Sequence, residues 1–304
     1  MQLARRYGRW ILLLALTISV GAQAERLDPN DPDDVIKIQR KWSCSLIDGE
    51  PVIYWWYGSM YSRVPGERDR LLFDVQGMNI RACGTVTDPV RGTGYRSVSR
   101  EVMFYLDPET DEVLRTWENP WTGETNEVIH VANDPVNMRR PYFPYDEDGK
   151  AVAKWRGTIK NGRVFTTGAV PLFYTNPMGG DFQEYVGGSY HAMEMFNSFA
   201  YEDEVFDPDI PSDMNKSLGW SRVSKWLPWM EMGDRVGMMV ATTAGRRMKD
   251  FDELPDVVKD EILKNHPEYT EAPPLDDARP NDTTWTITKR AIDARRSQEE
   301  EDAK

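Results

Sequence analysis

Residues 154–170 read KWRGTIKNGRVFTTGAV and contain the clearest fold signal in the chain. Two runs typical of β-strands, 154–159 and 163–170, flank the tripeptide Lys-Asn-Gly at 160–162. An Asn-Gly pair readily adopts the positive φ angles of a type I′ turn, the tight turn that joins antiparallel strands. We therefore predict a β-hairpin at this position.

The same pattern of short strands and turns extends over residues 37–245. The turn sequences DPETD and NPWTG separate the runs 101–106, 113–117 and 127–131, which predicts a three-stranded meander. Many strands without alternating helices indicate a mainly β fold, and we expect a lipocalin-like antiparallel β-barrel of about eight or more strands that encloses one small ligand. A β-sandwich with a ligand groove at one end is the competing fold.

One clear helix is predicted, at 251–265, and we expect it to pack outside the barrel. Asp250 or Asp252 can cap its first turn. Residues 267–284 are rich in Pro and Asp and predict a linker. The helix has an apolar stripe that is formed by Leu254, Val257, Val258, Ile262 and Leu263.

Four segments of different composition predict the domain organisation. Residues 1–24 predict a leader, and residues 25–36 are acidic and Pro-rich and predict an extended arm. Residues 37–296 form one β-rich domain. The Glu-rich residues 297–304 predict a disordered tail.

Residues 1–24 have the three parts of a cleavable signal peptide. Arginines precede the apolar run WILLLALTISV at 10–20, and Ala-Gln-Ala at 22–24 supplies the small residues that signal peptidase requires. The run is too short for a membrane anchor, which needs about 20 apolar residues. We expect a periplasmic or secreted chain that begins at Glu25. Arg5-Arg6 leaves both the general secretory and the twin-arginine route open.

Cys44 and Cys83 are the only cysteines in the sequence. In an oxidising compartment, two cysteines are expected to form a disulfide, and two buried free thiols are the alternative. A zinc site is not expected, because neither cysteine has a second cysteine or a histidine at ligand spacing.

The charge and the aromatic content bound the class of ligand. The formal net charge is −13. The charged residues of the predicted leader are all basic, so cleavage would make the mature chain more acidic still. Nucleic acids and anionic membrane surfaces are therefore disfavoured as partners. We expect no stable membrane insertion after leader cleavage. The chain has 11 Trp, 13 Tyr and 10 Phe, which either fill a core or line a pocket for an apolar or aromatic molecule.

The three histidines occupy different contexts. His266 follows the predicted helix and is expected to cap it. His130 lies in a strand with two apolar faces, where it is either a hydrogen-bonded core residue or a general base. A strand places His191 and Glu194 on opposite faces, whereas a helix would bring them together as metal ligands. Because the strand pattern is the better match, we expect no metal site.

Three further charged residues are candidates. Arg100 lies on an apolar strand face with Val98 and Val102, where it needs either a bound anion or an internal ion pair. Asp181 and Glu184 follow a Gly-Gly turn, which either presents their carboxylates to a pocket or leaves them in solvent. The sequence contains no nucleophile elbow, zincin helix, dinucleotide fingerprint or phosphate loop, so we predict no cofactor.

Four turn motifs resemble a known family. They are NPWTGE at 119–124, HVANDPV at 130–136, NPMGGD at 176–181 and LPWMEMG at 227–233. Together they are similar to the bacterial and fungal family called domain of unknown function 1838. The resemblance implies one coherent domain through most of the mature chain, and it brings no catalytic residues with it.

We predict an exported protein that binds a lipophilic or aromatic small molecule. The alternatives are a cofactor-independent isomerase, lyase or hydrolase, and an envelope interaction protein without a pocket. Convergence of the histidines and the arginine in one pocket favours the enzyme, whereas a ring-lined pocket without them favours the carrier. The candidate residues are His130, His191, Asp181 and Glu184 for catalysis, and Arg100, Trp56 and Trp229 for ligand binding.

Overall fold

The computed structural model describes residues 26–175, 185 and 188–302. The predicted leader and the candidates Asp181 and Glu184 lie outside the described residues. The helices are α1 (Pro32–Ser43), α2 (Glu202–Phe206), α3 (Asp256–Asn265) and α4 (Thr284–Asp302). The strands are β1 (Val52–Arg63), β2 (Arg70–Asp88), β3 (Gly92–Leu106), β4 (Thr116–Glu118), β5 (Thr125–Glu127), β6 (Val131–Asn133), β7 (Thr158–Lys160), β8 (Arg163–Tyr174), β9 (Tyr190–Tyr201), β10 (Ser217–Ser224) and β11 (Met238–Met248).

Nine of the strands form one antiparallel sheet in the order β6-β3-β2-β1-β11-β10-β9-β8-β7. Strands β4 and β5 pair separately. The mainly β, antiparallel fold is thus confirmed. In the described part of the chain no ladder joins β6 to β7, so no closed barrel is found there and the lipocalin-like barrel stays a prediction. The second sheet is a single two-stranded pair, so the fold differs from a sandwich.

The predicted hairpin at 154–170 is confirmed as β7–β8. Asn161 and Gly162 have φ angles of 53° and 71°, as a type I′ turn requires. The predicted meander is less regular, because β4 and β5 separate from the main sheet and β6 returns to pair with β3, Val131 lying opposite Met103.

The two faces of the sheet bury different side chains, as the pleat requires. The outer face of β1–β3 packs against α3 and forms an apolar core with it. Helix α3 lies outside the sheet, as predicted, but it begins only at Asp256 because Pro255 disfavours a helical conformation at the residue before it. Residues Phe251–Glu253 form a separate 3₁₀ turn that Asp250 caps.

The region predicted as an extended arm becomes helical at Pro32. The side chain of Asp31 accepts hydrogen bonds from the backbone N–H groups of Asp33 and Asp34, both at 3.0 Å, and Pro32 occupies the first helical position. Both features are favourable at a helix N-terminus, where carboxylates also complement the helix dipole. The acidic, Pro-rich composition therefore marks a helix start.

The C-terminal region contains a second helix that the sequence reading missed. Helix α4 runs from Thr284 to Asp302, so the tail expected to be disordered from Ser297 is helical up to Asp302. The Trp285 indole packs edge-on against Tyr190 of β9, with 4.4 Å between the ring centroids. Because α4 also contacts β6, it lies across the opening between the two sides of the sheet. No helix in the described ranges is both long and apolar enough to cross a bilayer.

The predicted disulfide is confirmed. Cys44, directly after α1, is bonded to Cys83 of β2, with a Cα–Cα distance of 5.9 Å. Both residues are fully buried, so the bond ties the N-terminal helix to the sheet beneath it.

Candidate ligand-binding site

The inner face of the sheet encloses a cavity of about 500 Å³. Strands β1, β2, β3 and β6 line one side and strands β9 and β10 line the other. Since β3 and β9 are far apart in the strand order, the sheet must curve strongly for both to reach one cavity. Residue Thr284 at the start of α4 completes the lining.

Two other cavities differ from this one in the exposure of their charged residues. They have volumes of about 460 and 600 Å³, and every charged side chain that lines them is exposed. In the inner-face cavity, none of the charged lining side chains is exposed. Withdrawing charged side chains from water costs free energy. A cavity that is lined by such buried charges is therefore the stronger candidate for a functional site.

Most of the cavity wall is apolar or aromatic. The Trp56 indole lies flat over Gly77 of β2, where a Cβ atom would be only 2.3 Å from the ring. Glycine is therefore required at position 77 for the indole to lie against the sheet. The apolar and aromatic wall is formed by Tyr54, Trp56, Met60, Met103, Tyr105, Val131, Val136, Phe196, Leu218, Trp220 and Leu227.

A buried ion pair crosses from β10 to β9 in this cavity. Arg222 Nη1 donates to the Glu194 carboxylate at 3.1 Å, and Arg222 Nη2 donates to the Tyr190 hydroxyl at 2.9 Å. The Arg222 and Glu194 side chains are only 15% and 19% exposed. Desolvation acts to lower the pKa of Arg222, but its interactions with Tyr190 and Glu194 outweigh it and keep that pKa above its ordinary value.

Glu101 of β3 faces this pair across the cavity. Burial raises the pKa of the Glu101 carboxyl, and the negative charge of Glu194 raises it further. The positive charge of Arg81 and hydrogen bonds from Asn133 and Asn79 act in the opposite direction. Two neighbouring carboxyl groups in unequal environments are a common arrangement where a protein holds or moves a proton.

A second cation lies at the end of the cavity next to α1. The Lys216 ammonium donates to the Trp42 carbonyl oxygen at 2.6 Å and lies 4.6 Å from the centre of the Trp42 ring. Burial lowers the pKa of Lys216 to about 7, and nearby arginines contribute to the shift. Burial raises the pKa of the neighbouring Asp213 carboxyl to about 6.

The two tryptophans predicted to bind ligand lie in different places. Trp56 lines the cavity, as expected. Trp229 does not line it: the residue is 2% exposed and packs in an aromatic core with Phe73, Tyr105 and Trp117.

Of the two alternatives for His130, a core residue or a general base, the structure matches the hydrogen-bonded core residue. Its Nδ1 accepts from the Tyr105 backbone N–H at 3.2 Å, so Nε2 carries the proton and donates to the Leu114 carbonyl oxygen at 2.9 Å. Burial lowers the pKa of His130 to about 4. Both ring nitrogens are occupied by backbone groups, which leaves neither for a ligand.

His191 and Arg100 face away from the cavity. His191 is exposed and its ring lies edge-on to Phe173, with 4.7 Å between centroids. Arg100 forms an internal ion pair with Asp134, at 2.9 Å, which is the alternative to binding an anion. Its guanidinium also donates to two backbone carbonyl groups beyond α3. The predicted catalytic residues within the described ranges therefore do not converge.

The structure follows the alternation that the strand pattern predicts, but this cavity lies on the faces opposite Arg100 and His191. Alternation places Glu101 on the other face of β3 from Arg100, and Glu194 on the other face of β9 from His191. The structure places Glu101 and Glu194 inside the cavity. A strand pattern fixes which residues share a face, whereas only the direction of sheet curvature decides which face is enclosed.

No group of three or more potential metal ligands occurs among the described residues. The fold and the site thus define a β-rich protein with a ring-lined internal cavity that contains buried charges. The chain belongs to the family described as protein of unknown function DUF1838, whose profile matches residues 49–292.

Other comparisons add little. No curated protein matches the chain. Among solved structures, the crystal structure of Ail, the attachment invasion locus protein of Yersinia pestis, aligns with 66% of this chain and 100% of its own, at 9% identity and a TM-score of 0.13. Similarity at this level carries no argument about fold or function.

Proposed function

We propose that the mature protein is exported and binds a small, largely apolar or aromatic molecule in the inner-face cavity. The observation that carries this proposal is the lining itself, in which aromatic and apolar side chains surround a few buried polar groups. Such a composition is typical of small-molecule sites. The ligand would lie within the curved sheet, as in lipocalin-like proteins, with α4 across the opening.

Export is supported by the confirmed disulfide together with the leader-like residues 1–24. Mass spectrometry of small molecules that co-purify with the protein is the direct route to the natural ligand. Recovery from the periplasm or medium of a chain beginning at Glu25 tests the localisation.

The cavity can be tested with the neutral aromatic dye N-phenyl-1-naphthylamine. Its fluorescence should rise when it binds wild-type protein, and Trp56→Ala should weaken binding by about tenfold because a large ring contact is lost. The matched control is Trp55→Ala. Trp55 is the preceding residue in β1, packs against the core on the outer side of the sheet, and donates to the Gln76 side-chain oxygen at 3.1 Å.

Equal effects of the two tryptophan substitutions would count against the cavity. A second apolar surface is available to the dye, on the outer face of β8 and β9, where Phe173 is 62% exposed and Phe199 is 42% exposed. If Phe173→Ser abolishes the fluorescence and Trp56→Ala does not, the dye binds that outer surface and the proposal fails.

An enzyme is the second candidate, and Glu101 favours it. The raised pKa of this carboxyl and its position opposite the Glu194–Arg222 pair suit a group that transfers a proton to or from a bound molecule. The test is incubation of periplasmic extracts with wild-type protein and with Glu101→Gln. Mass signals produced only by the wild-type protein support catalysis, provided that both proteins bind the dye equally.

A further inference from the structure

The polar groups of the cavity contain more positive charge than negative charge. Arg81 and Arg222 line it as cations, together with Lys216, whose pKa is lowered to about 7, and with only two acids, Glu101 and Glu194. One of the acids, Glu194, is already paired with Arg222. This local excess of positive charge contrasts with the net charge of −13 of the whole chain.

Several hydrogen-bond donors in the cavity lack an acceptor. Arg222 uses Nη1 and Nη2 for Glu194 and Tyr190, but its buried Nε–H has no acceptor among the residues that the structure describes. Within the same described ranges, the Trp56 indole N–H and the Ser224 hydroxyl are also buried without a partner. All three residues line the cavity.

Unsatisfied buried donors are costly, since each one loses its hydrogen bonds to water without replacement. An occupant that brings oxygen acceptors removes that cost, and a negatively charged one also balances the excess positive charge. Arginine suits this role because its guanidinium presents several donors in a fixed plane.

We propose that Arg222 binds the anionic oxygen group of an aromatic ligand, such as a carboxylate or a sulfonate, while the rings of the cavity hold the apolar part. This inference rests on the proposed function, and it specifies the ligand as an amphipathic organic anion. The Glu194 carboxylate and the Tyr190 hydroxyl position the guanidinium.

Two dyes with the same aromatic framework separate this inference from the proposed function. 8-Anilino-1-naphthalenesulfonate is N-phenyl-1-naphthylamine with one added sulfonate group. Wild-type protein should bind the sulfonate about tenfold more tightly than the neutral dye, which is the effect of one charge-assisted hydrogen-bonded contact. Arg222→Gln should abolish that preference, so that the two dyes bind this variant with similar affinity.

Removing Arg222 alone leaves the Glu194 charge unpaired and can prevent folding. The double substitution Arg222→Gln with Glu194→Gln keeps the local charge balanced and should show the same loss of preference. The matched control is Arg100→Gln, which removes a buried arginine from the outer face and should leave the preference intact. Circular dichroism confirms that each variant is folded.

The outcomes are distinct. If wild-type protein binds both dyes equally, or if the double variant keeps the preference for the sulfonate, the inference is wrong while the proposed function stands. If wild-type protein binds neither dye, the proposed function fails and the inference fails with it. A preference for the sulfonate that Arg222→Gln removes and Arg100→Gln retains supports both.

Discussion

Individual buried residues make the stability of this protein depend on pH. His130 is held neutral in the folded chain, because burial lowers its pKa from 6.5 to about 4. Between these two pH values the unfolded chain binds a proton that the folded chain does not. The free energy of unfolding should therefore fall as the pH decreases through this window, by about 3 kcal/mol in total.

Chemical denaturation at several pH values between 7 and 4 measures this loss. His130→Gln removes the titrating ring and should flatten the profile relative to wild type. The difference between the two profiles isolates His130 from other buried groups, such as Asp213 and Lys216. Parallel profiles would show that His130 does not contribute.

The contribution of Glu101 to the free energy of unfolding should have the opposite pH dependence to that of His130. The folded-state pKa of Glu101 is raised, so its contribution to stability is fully present below its ordinary pKa of 4.5 and is lost as the pH rises through the folded value. Glu101→Gln should therefore increase the free energy of unfolding at pH 7.5, with a smaller gain near pH 4.5. Glu109→Gln, at an exposed turn, should have no effect at either pH.

A stabilising substitution at Glu101 would indicate that the ionised carboxyl is retained for its role in the cavity, since functional sites are often less stable than their neutral variants. Loss of stability in Glu101→Gln at pH 7.5 would contradict this interpretation.

At the level of secondary-structure elements, the disulfide between the end of α1 and β2 is the clearest stabilising connection. Cys44 and Cys83 are 39 residues apart, and a loop of this length corresponds to about 3–4 kcal/mol. Replacing both cysteines with alanine should lower the free energy of unfolding by that amount. Reductant should destabilise the wild-type protein and leave the double variant unchanged, and an equal effect of reductant on both proteins would exclude this explanation.

We expect the position of helix α4 to depend on Trp285, whose ring packs against Tyr190 and Tyr174. Trp285 is 7% exposed and packs on Tyr190, whereas half of the remaining residues of the helix are charged. Trp285→Ala should release the helix from the opening of the sheet, so that amide hydrogens of α4 exchange faster while those of β1–β3 keep their protection. Glu299→Ala, on the exposed end of the same helix, should leave exchange unchanged. If Trp285→Ala leaves α4 protected, the helix is held by other contacts.

At the level of the whole molecule, ligand binding should stabilise the folded chain. N-phenyl-1-naphthylamine at one hundred times its dissociation constant should add about 2.7 kcal/mol to the free energy of unfolding. A thermal melt with and without the dye measures this effect. Trp56→Ala at the same dye concentration should be stabilised less, and equal stabilisation would place the dye outside the cavity.

Local sequence signals predicted much of the fold. The Asn161-Gly162 turn, the antiparallel strands and the disulfide each follow from short-range patterns or from the number of cysteines, and the structure confirms them. Helices α1 and α4, which were not predicted, illustrate the limit of such signals. Helix α1 begins with an Asp-Pro pair that also occurs in turns, and α4 has only Trp285, Thr288 and Ile292 as its buried stripe.

The sequence by itself determined which side chains share a face of each strand, because side chains alternate with a period of two whatever surrounds the strand. It also determined that Trp55 and Trp56, as neighbours in one strand, lie on opposite faces. Only the tertiary structure decided that Glu101, Glu194 and Arg222 meet in one cavity while Arg100 and His191 lie outside it. The reason is physical: the curvature of the sheet and the strand order bring β3 to face β9 and β10, and these long-range pairings leave no local mark in the sequence.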